Sequence, residues 1–169
     1  MKRHRSIEAV FVAVVFAGGG IARDDKPLTD TTFVEKAVTV GLIEVELGKH
    51  GSAVGQSPDV RRFADRMLRD HSAAYEELIV IATRIPVTFP NRLDDTHQKT
   101  VDAMKKLNGS EFDKAYMEQM VKDHEAVVEL FKKAEKEVPN GLLMDYTKKR
   151  LPILEEQLKL AKEIQDKVK

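Results

Sequence analysis

Met67-Leu68-Arg69-Asp70-His71 and Met120-Val121-Lys122-Asp123-His124 are one pentapeptide written twice: methionine, aliphatic residue, cation, aspartate, histidine. The likeness runs outward. Phe63 and Tyr116 stand four residues before each methionine, Ala73 and Ala126 two after each histidine, and Glu76 and Glu129 five after. Around the first copy, Val60, Phe63, Ala64, Met67, His71, Ala74, Leu78 and Ile81 recur at helical spacing. Around the second, Phe112, Met117, Met120, His124, Val127, Phe131 and Ala134 do the same. Each histidine therefore sits on the apolar stripe of an amphipathic helix, where an imidazole needs either a bound ion or a polar partner.

The flanking signals define the remaining helices. Ser57-Pro58 starts the helix of the first copy, with Ser as cap and Pro in the first turn, and Pro86 stops it near Arg84. Upstream, Thr32 and Glu35 form a capping-box pattern that opens helix one. Its stripe is Phe33, Ala37, Val40, Gly41, Leu47, Gly48 and Gly51, with Glu44 in line, and the glycines predict a closely approaching second helix. A long connection from Pro86 carries one short helix, Asp95 to Leu107, and ends at Asn108-Gly109; helix three then starts at Ser110. Asn140 caps helix four, which runs through Leu143, Thr147, Leu151, Leu154, Leu158, Ala161 and Gln165, with a bend expected at Pro152. No stretch alternates as a strand does. The expected fold is all-α, a four-helix bundle of ferritin-like connectivity whose long crossover carries a short helix between helices two and three.

Composition narrows the function. With 169 residues there is room for one well-buried domain, and 28 basic residues balance 28 acidic ones without a block of either sign. That argues against nucleic acid as a partner. Cysteine is absent, which excludes disulfides, thiolate metal sites and thiol catalysis. Residues 1–22 have the outline of a signal peptide, with Lys2, Arg3 and Arg5 before the apolar run Ala9 to Ala17. That run is shorter than the roughly 20 residues of a membrane span. The expectation is an exported protein, periplasmic or outer-membrane associated, with residues 23–31 as a linker, 32–169 as the bundle and no transmembrane segment in the mature chain.

Helix directions bring the polar stripe residues together. If helices one and two are antiparallel about Ser57, Glu44 and His71 each lie about 20 Å from the turn. A long crossover makes helices two and three parallel, which sets His124 at the same level, and helix four returns past it near Gln157. One reading is a divalent metal or copper ion held by Glu44, His71 and His124, completed by Gln157 or water, with Asp70 and Asp123 as ligands or as acceptors behind them. A second is a Glu44, His71 and His124 polar network without metal, in a structural or interaction protein of the cell envelope with an envelope protein as partner. A third is a metal-dependent oxidase or peroxide-handling enzyme. Against it, no histidine has Glu three residues before it, as a carboxylate-bridged di-iron site requires. Met67 and Met120 would suit copper, though methionine on such a stripe is commonly core filler. Serine-nucleophile, P-loop and dinucleotide patterns are missing, so the reading leans away from an enzyme. His50 and His97 have no evident partner and read as surface or loop residues.

Gly41-Leu42-Ile43-Glu44-Val45-Glu46-Leu47-Gly48, Phe63-Ala64-Asp65-Arg66-Met67 with Asp70-His71-Ser72, Gly109-Ser110-Glu111-Phe112-Asp113-Lys114-Ala115-Tyr116, Asp123-His124 and Leu151-Pro152-Ile153-Leu154 occur in order. In this the chain resembles the bacterial family called domain of unknown function 4142. The resemblance covers nearly everything after residue 22. It implies a ferritin-like helical bundle, exported, often labelled a predicted outer-membrane protein, with no established activity. That family commonly has a histidine shortly after the Leu-Pro of helix four, where this chain has Gln157, a weaker metal ligand than imidazole.

Overall fold

A computed structural model describes residues 27–169, so the signal peptide expected at 1–22 and the first four residues of the linker expected at 23–31 lie outside the described residues. Those residues form α1 (Asp30–Val54), α2 (Pro58–Ala82), α3 (Asp95–Met104), α4 (Gly109–Glu137) and α5 (Gly141–Val168), with no strand among them. Side chains cap most of the helices. Thr29 accepts from the Thr32 amide at 3.1 Å, so α1 begins three residues before the Thr32 and Glu35 pattern would place it. Ser57 accepts from Asp59, Asp94 from Thr96 and His97, and Asn140 from Leu142. Asn108 makes no such bond. There the turn depends on Gly109, whose φ of 60° a side chain would resist. The turn between α1 and α2 is tied to α4, because the buried Asp113 accepts from the amides of Gln56 at 3.0 Å and Ser57 at 2.6 Å. α5 runs unbroken through Pro152.

Contacts give the helix directions. Gly41 meets Tyr75 while Gly51 meets Ala64, so α1 and α2 are antiparallel. Lys132 pairs with Glu155 and Lys162 with Glu125, and Glu77 pairs with Lys149 while Arg66 pairs with Glu156, so α5 is antiparallel to α4 and to α2. Phe33 packs on Phe131 and His50 on Phe112, which makes α1 antiparallel to α4. Across the bundle, Phe63 meets Tyr116 and His71 meets His124. The sequence offset between the two pentapeptides is thus also the spatial register of α2 against α4, which run parallel.

The apolar core is divided. One cluster, around Phe33, Val38, Leu78, Phe131 and Leu143, fills the end holding the start of α1. The other, around Leu47, Phe63, Met67, Phe112 and Met120, fills the opposite end. Between them lies a level of polar side chains, and α1 meets α2 most closely beside it. A Cβ at Gly48 would lie 2.8 Å from the Leu68 amide nitrogen and 2.9 Å from the Ala64 carbonyl oxygen. Only glycine permits that approach of two backbones.

Candidate functional site

Glu44, His71, Asp123, His124 and Gln157 are all buried at the dividing level, one or two from each of α1, α2, α4 and α5. The His71 and His124 rings stand 5.7 Å apart and nearly perpendicular, at 88°. His124 Nδ1 lies 2.9 Å from the Met120 carbonyl oxygen. A carbonyl only accepts, so Nδ1 carries the proton and Nε2 holds the lone pair of the neutral ring. Glu44 Oε1 is 3.9 Å from that same Nδ1, beyond hydrogen-bond reach. The expected Glu44, His71 and His124 convergence is present, but their mutual hydrogen bonds are not. Glu44 Oε1 and Oε2, His71 Nε2, His124 Nε2 and Gln157 Oε1 are shut from solvent and have no partner.

Burial sets the charge states here. It pushes the Glu44 carboxyl well above its ordinary value, and the nearby Asp123 carboxylate raises it further. Asp123 itself is raised from 3.8 to about 6 by burial, against the bond from Gln119 Nε2 at 2.8 Å. Burial lowers His71 to about 3, with His124 and Arg150 adding to the shift. It also lowers His124, although the Met120 carbonyl and Gln157 oppose that change. Tyr116 was read from sequence only as the counterpart of Phe63. Its hydroxyl is buried without a partner, and burial with the charges of Glu44 and Asp123 raises its pKa. While nothing is bound, burial favours the neutral forms of Glu44, His71, His124 and Tyr116, whereas Asp123 gives up its proton above about pH 6.

Asp70 and Asp123 separate. Asp70 lies at the rim, where its Oδ2 accepts from Arg66 Nε at 3.2 Å and Gln157 Nε2 at 2.9 Å. A carboxylate acceptor fixes the Gln157 amide, so the atom left unpartnered is its oxygen, the one able to bind a cation. Among the described residues no three His, Asp or Glu side chains stand close enough together to hold a metal ion as they are. The physical reason lies in His124: Glu44 faces Nδ1, and Nδ1 is occupied by the Met120 carbonyl.

Sequence reasoning missed three neighbours. His97 lies on α3 with Nδ1 2.8 Å from Asp94 Oδ2, and its charge favours ionised Asp123, so it is not without a partner. His50 packs edge-on against Phe112 at 5.3 Å. Arg150 pairs with Glu77 and lowers the pKa of His71. Arg150 stands one helical turn before Leu154 on α5, and that spacing was its only signal.

No helix among the described residues is long and apolar enough to cross a membrane. No curated protein and no solved structure matches the chain. Residues 20–164 match the sequence profile described as Domain of unknown function (DUF4142), over most of the chain, and the protein therefore belongs to that family.

Proposed function

We propose that this protein is an exported four-helix bundle of ferritin-like connectivity that binds one divalent metal or copper ion at its polar level. In this reading, His71 Nε2, His124 Nε2 and Gln157 Oε1 approach the ion, with water completing the set. Glu44 and Asp123 supply the balancing negative charge. The observation that carries it is the convergence of buried polar atoms from four helices that have no partner among themselves. Each such atom costs on the order of 1–3 kcal/mol if left unsatisfied. Two imidazoles bound to one tetrahedral ion through nitrogens at about 2.1 Å have ring centres roughly 5 to 6 Å apart, and the observed 5.7 Å fits that. Connectivity is supported by antiparallel neighbours, parallel α2 and α4, and the long connection bearing α3. Export is supported by the leader pattern in residues 1–22.

The test is metal content and thermal melting of purified protein after chelation and after adding zinc, copper, manganese or iron. A bound ion is expected at one per chain with a raised melting temperature. His71→Ala and His124→Ala should abolish the rise, and Gln157→His should enlarge it by replacing an amide with an imidazole. The absence of a ready three-ligand group favours the alternative, a bundle with a metal-free polar level. No retained ion and no shift in any variant would establish that alternative.

A further inference from the structure

The polar level adjoins a cavity of about 40 Å3 walled by α1, α2, α4 and α5. A water needs about 10–15 Å3 of such space and takes up about 30 Å3 of liquid, so there is room for about three waters, which is the bulk of a small carboxylic acid. Much of the wall is apolar, with Leu78, Val127 and Phe131 among its residues. Arg150, His71 and Gln157 line it too, and each has a polar atom shut from solvent without a partner: Nε, Nε2 and Oε1 respectively. The Arg150 head group is held in place. It is paired with Glu77, its side chain is only 14% exposed, and its guanidinium carbon lies 5.7 Å from the Tyr146 ring centre. Its Nε–H nevertheless has no acceptor. Asp70 also borders the cavity, but its charge is answered by Arg66 and by the Gln157 amide.

A buried guanidinium N–H beside an imidazole, set in an otherwise apolar wall, fits an anionic oxygen that carries a small alkyl group. We propose that the cavity binds a short-chain carboxylate of the size of acetate or propionate. Its oxygens accept from Arg150 Nε and from His71 in the tautomer protonated on Nε2, and its alkyl end lies against Leu78, Val127 and Phe131. Gly41 sets the available room. A Cβ there would lie 3.6 Å from Tyr75 Cβ and 3.7 Å from Tyr75 Cδ2, an ordinary contact, so alanine would narrow the cavity without a clash. This binding belongs to the metal-free chain, because His71 Nε2 cannot donate to an acid while it holds an ion.

The experiment is titration of the chelator-treated full chain with acetate and propionate, read by calorimetry and by carbon NMR of the labelled acids, with chloride as the competing anion. Expected is saturable binding at one per chain that chloride does not displace. Arg150→Lys keeps the charge facing Glu77 but removes Nε–H, and should weaken binding by about tenfold or more. Gly41→Ala should raise the melting temperature, as alanine does within a helix, while weakening propionate more than acetate. No saturable binding at tens of millimolar acid would overturn the proposal. So would affinities unchanged in both variants, or displacement by equimolar chloride. Because metal is absent throughout, these outcomes are independent of the ion titration above.

Discussion

Asp70 and Asp123 occupy the same place in two copies of one pentapeptide, and the bundle treats them oppositely. The Asp70 side chain is about a third exposed (34%), held between Arg66 and Gln157 at the edge of α2 and α5. Asp123 is buried, with Oδ1 accepting from Gln119 and Oδ2 without a partner, and it adds to the burial that keeps Glu44 protonated. The position four residues earlier makes the difference. An arginine there, Arg66, draws the carboxylate to the rim, while an amide, Gln119, accompanies its counterpart into the core. The methionines show no such divergence, since Met67 and Met120 are both fully buried. Chain repetition thus fixes packing in both copies but leaves charge free to differ.

The largest effect should fall where the copies agree. Met67→Ala and Met120→Ala should each lower unfolding free energy by roughly 2–5 kcal/mol, similarly for both. Denaturant melts check this, and a large inequality would break the equivalence of the two copies. Next comes His71, whose folded pKa is about 3 against an ordinary 6.5. The folded state binds fewer protons between those values, so its contribution is full above about 6.5 and is lost as pH falls toward 3. In metal-free protein, wild type should lose on the order of 3 kcal/mol more than His71→Gln between pH 7 and pH 4. Parallel stability curves for the two proteins would contradict that. The smallest effects concern the aspartates and should differ in sign. Folded Asp123 keeps its proton up to about 6 whereas the unfolded chain releases it near 3.8, so stability is lost as pH rises between them. Asp123→Asn should therefore stabilise the chain by about 2 kcal/mol at pH 8 and have little effect at pH 3. Asp70→Asn weakens bonds from Arg66 and Gln157 and should destabilise by about 1 kcal/mol. Equal shifts from both substitutions would erase the distinction between rim and core.

Much of the arrangement was legible beforehand because the repeat and the helix periods report geometry directly. Stripe membership announced Glu44, His71 and His124, and counting along α1 and α2 from the turn at Ser57 put them at one level. Gln157 followed from the return of α5. What could not be read was which atoms remain unsatisfied. That depends on rotamers, and the claim of the Met120 carbonyl on His124 Nδ1 separates Glu44 from the imidazoles as a ligand set. Tyr116 was hidden for a related reason: an aromatic on an apolar stripe reads as packing, and its hydroxyl matters only once Glu44 and Asp123 are beside it. Arg150 and the cavity depend on side chains from several helices, for which no local pattern exists.

The near-contact of backbones at Gly48 has a mechanical meaning. Leu68, whose amide nitrogen a Cβ at Gly48 would strike, belongs to the first pentapeptide, so that pentapeptide is braced directly by α1. With no side chain between them to bend, α1 and α2 resist shear as a single stiff beam. α5 meets α2 more sparsely and through long charged side chains such as Arg66 with Glu156 and Lys149 with Glu77. α4 and α5 form the other closely packed pair, so compliance in this bundle lies between two stiff pairs: His71 rides on one, and His124 and Gln157 on the other.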